Sequence, residues 1–267
     1  LNTPSGLYWE RRGDPAGPSL ILSAGLGGMA SYWRPNLDIL TTRFNVHLYD
    51  QRGTGQSVRA LGDVVTADDL AADIEDVMDA AGLERAIVIG HAAGAVAGLA
   101  LGLRAPHRLA GLVSVNGWAR TDPHFRRCIE MRLAVLAAGG PRAFLRAQPV
   151  FLYPPAWVSR NDAQLDAQLP EQLADFQGER ALRARAGALL AFDVSERLGE
   201  IAAPCLIVAA QDDFLVPSLC SEALAQALPQ AELAIMAAGG HACNITHAEA
   251  YDRIVIDWLS RTFLRGE

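Results

Sequence analysis

Residues 86–97 read Ala86-Ile87-Val88-Ile89-Gly90-His91-Ala92-Ala93-Gly94-Ala95-Val96-Ala97. The run Ala86 to Ile89 is short, apolar and β-branched, as expected for a strand buried on both faces. Gly90 and Gly94 bracket a turn, and the Ala- and Gly-rich stretch that follows suits a helix lying close against a sheet. In such a strand-turn-helix setting the pattern Gly-x-Ser-x-Gly presents a nucleophile held in a strained conformation. The middle position here is Ala92, which has no nucleophilic atom, so an acyl-enzyme cannot form on it. Ordinary helix-sheet packing also produces two glycines four apart, and the weight of the pattern comes from what surrounds it.

Five further runs read as buried strands of a mainly parallel sheet: Ser19-Leu20-Ile21-Leu22, Val46-His47-Leu48-Tyr49, Leu112-Val113-Ser114-Val115, Cys205-Leu206-Ile207-Val208 and Leu233-Ala234-Ile235-Met236. Amphipathic helices alternate with them. The clearest has Thr66 as its N-cap, Asp68 and Asp69 in its first turn, and Leu70, Ile74, Val77, Met78 and Ala81 along one face. This alternation predicts a three-layer α/β sandwich. It stops after Trp118 and resumes near Ile201, where several short helices punctuated by Pro141, Pro149, Pro154-Pro155 and Pro170 are expected instead. The predicted organisation is a core of residues 1–118 and 201–267 with a helical lid, residues 119–200, over the carboxyl ends of the strands, where open α/β sheets bind ligands. A last helix is expected over roughly Ala248 to Leu264.

Three companions of Ala92 fall at strand ends. Ala24-Gly25-Leu26-Gly27-Gly28 follows the first of the five runs, and its turn can present the Leu26 N–H beside that of Ala93 as an oxyanion hole. Asp212-Asp213-Phe214-Leu215-Val216-Pro217 follows a late strand and offers an acid, the spacing to Pro217 favouring Asp213. Gly239-Gly240-His241 follows the last run and offers a base. The chain order is then nucleophile position, acid, histidine. A lone histidine after a Gly-Gly turn is ordinarily a surface residue; its place downstream of the turn at Ala92 and the strand-terminal Asp213 makes it the expected base. His91 reads as a packing residue of the turn, and His47, His107, His124 and His247 show no metal-ligand spacing.

Composition excludes other chemistries. Within 267 residues all 23 basic residues are arginine, which removes Schiff-base catalysis, a pyridoxal-phosphate anchor and a P-loop lysine. No cofactor and no metal are expected. The net charge of −7, without a block of like charges, argues against nucleic acid and an anionic membrane surface as partners. No apolar run reaches the length of a membrane span, and no signal peptide is visible at Leu1 to Gly6, so a cytoplasmic location is the default. The four cysteines, Cys128, Cys205, Cys220 and Cys243, lack paired spacing and read as small buried hydrophobes. The expected partners are a small anionic substrate and, at the level of assembly, a second copy of the chain in a homodimer.

The order of the Gly-rich turn, Asp50-Gln51-Arg52-Gly53-Thr54-Gly55-Gln56-Ser57, the turn at Ala92, Asp213 and His241 resembles the α/β-hydrolase superfamily over nearly the whole chain. Within it, the chain is most similar to the RutD family of the Rut pyrimidine-utilisation pathway. The stretches that carry this are Ser23 to Trp33 (SAGLGGMASYW), Tyr49 to Gly55 (YDQRGTG), Ser114 to Trp118 (SVNGW), Gln148 to Trp157 (QPVFLYPPAW), Phe176-Gln177-Gly178 and Gly239 to Asn244 (GGHACN). The resemblance implies an α/β-hydrolase fold and hydrolysis of 3-aminoacrylate, releasing ammonia and malonic semialdehyde, or of carbamate. It also implies that alanine is tolerated at position 92.

With no serine hydroxyl, a water near Ala92, deprotonated by His241, which Asp213 orients, is the expected nucleophile. Either substrate is an anion, and the lid segment holds Arg120, Arg126, Arg127, Arg132, Arg142, Arg146 and Arg160 against Asp122 and Glu130. Trp118, Arg126, Tyr153 and Asn244 are the expected substrate-binding residues, with Phe151 and Trp157 as further candidates for the pocket wall. Two other readings stay open: an inactive fold used as a binding module, and a serine esterase whose nucleophile has been replaced by Ala92. Retention of both Asp213 and His241 argues against a pure binder, which needs no acid-base pair.

Overall fold

The structure, a computed structural model, describes residues 1–58 and 61–264. Seven strands, β1 (Trp9–Gly13), β2 (Ser19–Ser23), β3 (Asn45–Tyr49), β4 (Ala86–His91), β5 (Leu109–Val115), β6 (Cys205–Ala210) and β7 (Ala231–Met236), form one sheet in the order β1-β3-β2-β4-β5-β6-β7. All neighbours are parallel except β1, which runs antiparallel to β3 with Trp9 opposite Tyr49. β2 to β6 are the apolar runs read from sequence, and β4 and β6 are buried at every residue. β1 has no such run: Trp9-Glu10-Arg11-Arg12-Gly13 is exposed beyond its first two residues, which is how an edge strand escapes a search for apolar segments. β7 differs from expectation in the opposite way. It is the other edge of the sheet and is largely exposed, so Leu233 and Ile235 are not core.

Six helices flank the sheet: α1 (Arg34–Thr41), α2 (Ala67–Ala80), α3 (Ala93–Arg104), and, after an insertion, α7 (Ser218–Ala227), α8 (Cys243–Thr246) and α9 (Ala248–Phe263). α2 starts at a capping box, with Thr66 Oγ1 accepting from the Asp69 N–H and Asp69 Oδ2 accepting from the Thr66 N–H. Its Leu70, Ile74, Val77 and Met78 join one core layer with α3 and the inner faces of β4 and β5, while Trp33, Tyr251 and Trp258 lie in a second layer on the other face.

The insertion stands between β5 and β6 and is made of α4 (Pro123–Leu152), α5 (Pro155–Ala174) and α6 (Glu179–Ala191). α4 joins two helical segments across a kink, so the insertion holds four helical segments among the described residues, the longest being α5 at 20 residues. Pro141 follows a kink at Gly140, whose φ of 70° breaks α4, and so sits at the start of a new helical segment where its missing N–H is not needed. Pro149 and Pro170 fall near the ends of α4 and α5, where each removes one i→i−4 hydrogen bond from the ladder. No helix among the described residues is long and apolar enough to cross a membrane.

Candidate active site

The turn between β4 and α3 places Ala92 at φ 48°, ψ −104°, a region that costs about 1–3 kcal/mol for a residue with a Cβ. Its neighbours show what holds it there. A Cβ on Gly90 would come within 2.3 Å of the Gly94 backbone, and one on Gly94 within 2.0 Å of the Ser23 carbonyl oxygen, so strand and helix approach as closely as glycine permits. The Ala92 N–H donates to Val115 O at 2.9 Å, and its carbonyl accepts from Val96 N–H at 3.0 Å.

Two loops after β6 and β7 bring the acid and the base together. His241 Nδ1 lies 2.8 Å from Asp213 Oδ2, with both side chains almost wholly buried. The other carboxylate oxygen, Oδ1, accepts from the Leu215 and Val216 N–H groups at 2.8 and 2.9 Å. Because a carboxylate accepts, the Nδ1 atom of a neutral His241 carries the proton and its Nε2 lone pair is left as the base. Asp212 plays a different part, since its Oδ1 accepts from the Gly240 N–H at 2.8 Å and so holds the histidine loop.

The backbone of that loop is held from behind by residues that sequence patterns did not single out as functional. His241 O accepts from Asn116 Nδ2 at 2.7 Å and from His91 Nε2 at 2.7 Å. Asn116 adopts a φ of 50°, and the Asn-Gly pair after β5 was the one signal of it. The His91 ring stacks on Tyr32 at 4.8 Å and lies 4.7 Å from that of His241. Burial, reinforced by His241, keeps the pKa of His91 well below the ordinary histidine value, so it is neutral and donates through Nε2–H.

The Gly-rich turn after β2 faces this group. Leu26 N–H has no acceptor among the described residues, and Ala93, as the first residue of α3, has no partner for its N–H within the helix. Leu26 O is gripped instead, by Gln177 Nε2 at 3.0 Å and Arg185 Nη1 at 2.9 Å. Asp50 fixes the far end, its two oxygens accepting from Ala30 and Gln56 N–H groups at 2.8 Å each.

A cavity of about 250 Å³ lies over Ala92 and His241. Leu26, Trp118 and Tyr153 line it, as do Arg132, Gln148 and Tyr32. Ala93 is buried and is not among the residues that line it. Two expected substrate contacts are placed elsewhere. Arg126 is exposed on α4, its Nη2 reaching only Leu190 O at 3.5 Å. Asn244 is buried outside the cavity, where its side chain accepts from Tyr32 Oη at 2.7 Å and donates to Asn36 Oδ1 at 3.1 Å. Phe151 and Trp157 also stand off the wall, Trp157 stacking on Tyr153 at 4.4 Å. The arginine on the wall is Arg132. It continues the helical series Phe125, Cys128, Ile129, Arg132, Leu136 along the buried face of α4, a periodicity that Arg126 and Arg127 do not share.

All four cysteines are buried and free. Burial pushes the thiols of Cys205, Cys220 and Cys243 up to about 12, which leaves no thiolate among these three at neutral pH.

Comparison with known proteins bears on the fold and the family. The family model described as serine aminopeptidase, S33, matches residues 20–245. A Caulobacter sp. (strain K31) protein named "Putative carbamate hydrolase RutD" is 49% identical over 260 residues, 97% of each chain. Its namesake from Variovorax paradoxus (strain S110) is 43% identical over 261 residues, 97% of this chain and 98% of the relative. Among solved structures, the enol-lactonase from Burkholderia xenovorans LB400 has a TM-score of 0.87 at 25% identity, covering 97% of this chain and 98% of that one. A hydrolase from Pseudomonas aeruginosa PA01 has a TM-score of 0.87 at 27% identity, covering 97% of both chains.

Proposed function

The chain belongs to the α/β-hydrolase family, in its RutD group, and from that premise we propose that it hydrolyses a carbon-nitrogen bond of a small anion, carbamate or 3-aminoacrylate, with water in place of a serine. One observation carries the reading: a complete, buried Asp213–His241 pair faces Ala92, which brings a methyl group where a nucleophile would stand. An acid-base pair without a nucleophile can still deprotonate water.

In this mechanism His241 Nε2 takes a proton from a water lodged over the Ala92 methyl, and the hydroxide attacks the carbamate carbon or C3 of the imine tautomer of aminoacrylate. The Leu26 and Ala93 N–H groups serve as the oxyanion hole for charge on a carbamate oxygen. The imidazolium, steadied by Asp213, then returns the proton to nitrogen. On carbamate this releases ammonia as the C–N bond breaks, whereas on the imine it gives a carbinolamine, whose hydroxyl proton His241 passes to nitrogen as the C–N bond breaks, leaving the aldehyde and ammonia. Carbamate gives bicarbonate and aminoacrylate gives malonic semialdehyde, with one water consumed in either case. The helices of residues 119–200 act as a lid that keeps bulk water from the site. Sites of this kind stripped of a triad member retain roughly 10³–10⁴-fold acceleration, about 4–5.5 kcal/mol. That is too little for a peptide bond and sufficient for substrates that already decompose in water.

The test is a coupled ammonia assay in which aminoacrylate is generated in situ, or carbamate is added, with and without the protein. His241→Ala is expected to return the rate to the spontaneous background with the fold intact, and Asp213→Asn to weaken it by releasing the imidazole from its tautomer and orientation. A folded His241→Ala variant with full acceleration overturns the mechanism. A wild-type protein that accelerates neither substrate favours a binding module instead.

A further inference from the structure

We propose that Arg132 is the counter-ion that receives the carboxylate of a short anionic substrate in the cavity over Ala92, and that it selects carboxylates over their neutral isosteres. The inference rests on the reading that this cavity is the reaction site, and it adds which residue recognises the charge. Arg132 is 5% exposed. It lines the cavity with Ala92 and His241, and it also lines an adjoining cavity of about 170 Å³ between α4 and the loop at Phe176, which neither Ala92 nor His241 reaches. Arg132 therefore stands between the two spaces, where a substrate's carboxylate end can point away from the reacting end.

What surrounds the guanidinium is incomplete without an anion. Its Nη2 donates to Gln148 Oε1 at 2.6 Å, and its Nε–H has no acceptor among the described residues. The Phe144 and Phe151 rings lie 5.3 and 5.9 Å from Cζ, favourable for a cation and unable to accept a planar pair of hydrogen bonds. No carboxylate is paired with it among the described residues; the Cys128 thiol is the one ionisable group that acts on its charge. Burial lowers its pKa to about 10, so it remains a cation at neutral pH. A buried guanidinium with five N–H donors and no anion is costly unless a ligand supplies the anion, and a carboxylate meets two of those donors at once. A neutral amide of the same shape brings one acceptor and no charge.

The proposal is tested by binding, without turnover. Propionate and its isostere propionamide are titrated calorimetrically into the wild-type protein, Arg132→Met and Arg132→Lys, and each protein's thermal midpoint is measured without ligand. Wild type is expected to bind propionate at least tenfold more tightly than propionamide. Arg132→Met is expected to lose that preference while melting no lower than wild type, because an unpaired buried charge has been replaced by a thioether of similar length. Arg132→Lys is expected to keep part of the preference. Equal affinity of wild type for the two probes overturns the proposal, as does an Arg132→Met variant that keeps the preference. So does one that melts several degrees lower with Arg132→Lys restoring only the melting point, since the arginine is then a structural strut. None of these readouts requires His241 to activate water, so failure of the hydrolytic mechanism and failure of this assignment are separable.

Discussion

Arg132 and Arg185 are both buried, both lie on helices of the insertion, and neither has a carboxylate in contact; what separates them is how many acceptors they have. Arg185 donates through Nη1 to Leu26 O and Gln177 Oε1 and through Nη2 to Gln51 Oε1, and it sits so close under the Gly-rich turn that a Cβ on Gly28 would come within 2.9 Å of both terminal nitrogens. Arg132 has Gln148 and two aromatic rings. The first is built into the backbone of the site and leaves its Nε–H without a partner; the second, with one acceptor, has most of its donors unmet on a cavity wall. The same contrast divides the whole site. The turn at Ala92, Asp213 and the histidine loop are fixed by backbone hydrogen bonds, whereas the wall contributed by α4 offers a charge with little to satisfy it. Groups that must hold a shape are bonded by the protein, and a group meant for a ligand is left open.

The largest expected effect lies on the fixed side. Gly94→Ala drives a Cβ to 2.0 Å from a carbonyl oxygen of β2, and neither partner is a side chain that can turn away. A loss of at least about 4 kcal/mol is expected, read as a collapsed soluble yield or a large fall in the urea midpoint. A variant of near wild-type stability shows that the elbow is less tightly determined than the contrast requires.

Next comes Arg185→Met. It strands the Leu26, Gln177 and Gln51 oxygens, and with hydrogen bonds to charged groups worth about 1.5–3 kcal/mol each, a net loss of about 3 kcal/mol is expected. Equilibrium urea unfolding of Arg185→Met beside Arg132→Met gives the comparison its most direct form, because the two substitutions are expected to differ in sign or nearly so. Equal destabilisation by both erases it.

A third group sharpens the point from outside the site. His47 is buried against Trp9, and neither ring nitrogen has a partner among the described residues; it lines neither of the two cavities that Arg132 lines. Burial, aided by the charge of Arg11, lowers its pKa from 6.5 to about 4. The folded state therefore resists the proton that the unfolded chain accepts. Stability from this source is complete above about pH 6.5 and is lost as pH falls toward 4, at most by about 3 kcal/mol. Between pH 7 and pH 4.5 the fall in urea midpoint is expected to be smaller in His47→Phe, which keeps a ring on Trp9. An unchanged fall assigns the acid sensitivity to other groups.

The smallest stability effects are expected at Ala92. Ala92→Gly relieves a strained φ but adds chain entropy to the unfolded state, and the two offset to within about 1 kcal/mol. Ala92→Ser restores a hydroxyl beside His241 and is expected to give no burst on an activated ester, because a nucleophile must be held within about 0.5 Å of productive geometry by supporting groups. It is also expected to slow ammonia release by displacing the water. A stoichiometric burst with undiminished ammonia release overturns the water mechanism.

The linear sequence was enough for β2 to β6, for Thr66 as the N-cap of α2 and for putting Ala92, Asp213 and His241 after strands in that order, because each is written in local pattern: an apolar run, a Thr followed by acidic residues, a turn at a strand end. The resemblance through Ser23 to Trp33 and Gly239 to Asn244 extended that reading to the family. Tertiary structure alone decided the rest. The sheet's order made β7 an edge and exposed Leu233 and Ile235, which composition alone reads as core. Closure of two loops 28 residues apart brought Asp213, which the spacing to Pro217 favoured, onto His241 and left Asp212 to hold the Gly240 N–H. The insertion between β5 and β6 carries seven arginines from Arg120 to Arg160, and composition cannot rank them. Arg132 faces the cavity because the buried stripe of α4 rotates it inward, while Arg126, six residues earlier on the same helix, is turned to solvent. Charge is a property of the residue; whether that charge is paired, hydrated or left waiting for an anion is a property of what the fold places around it.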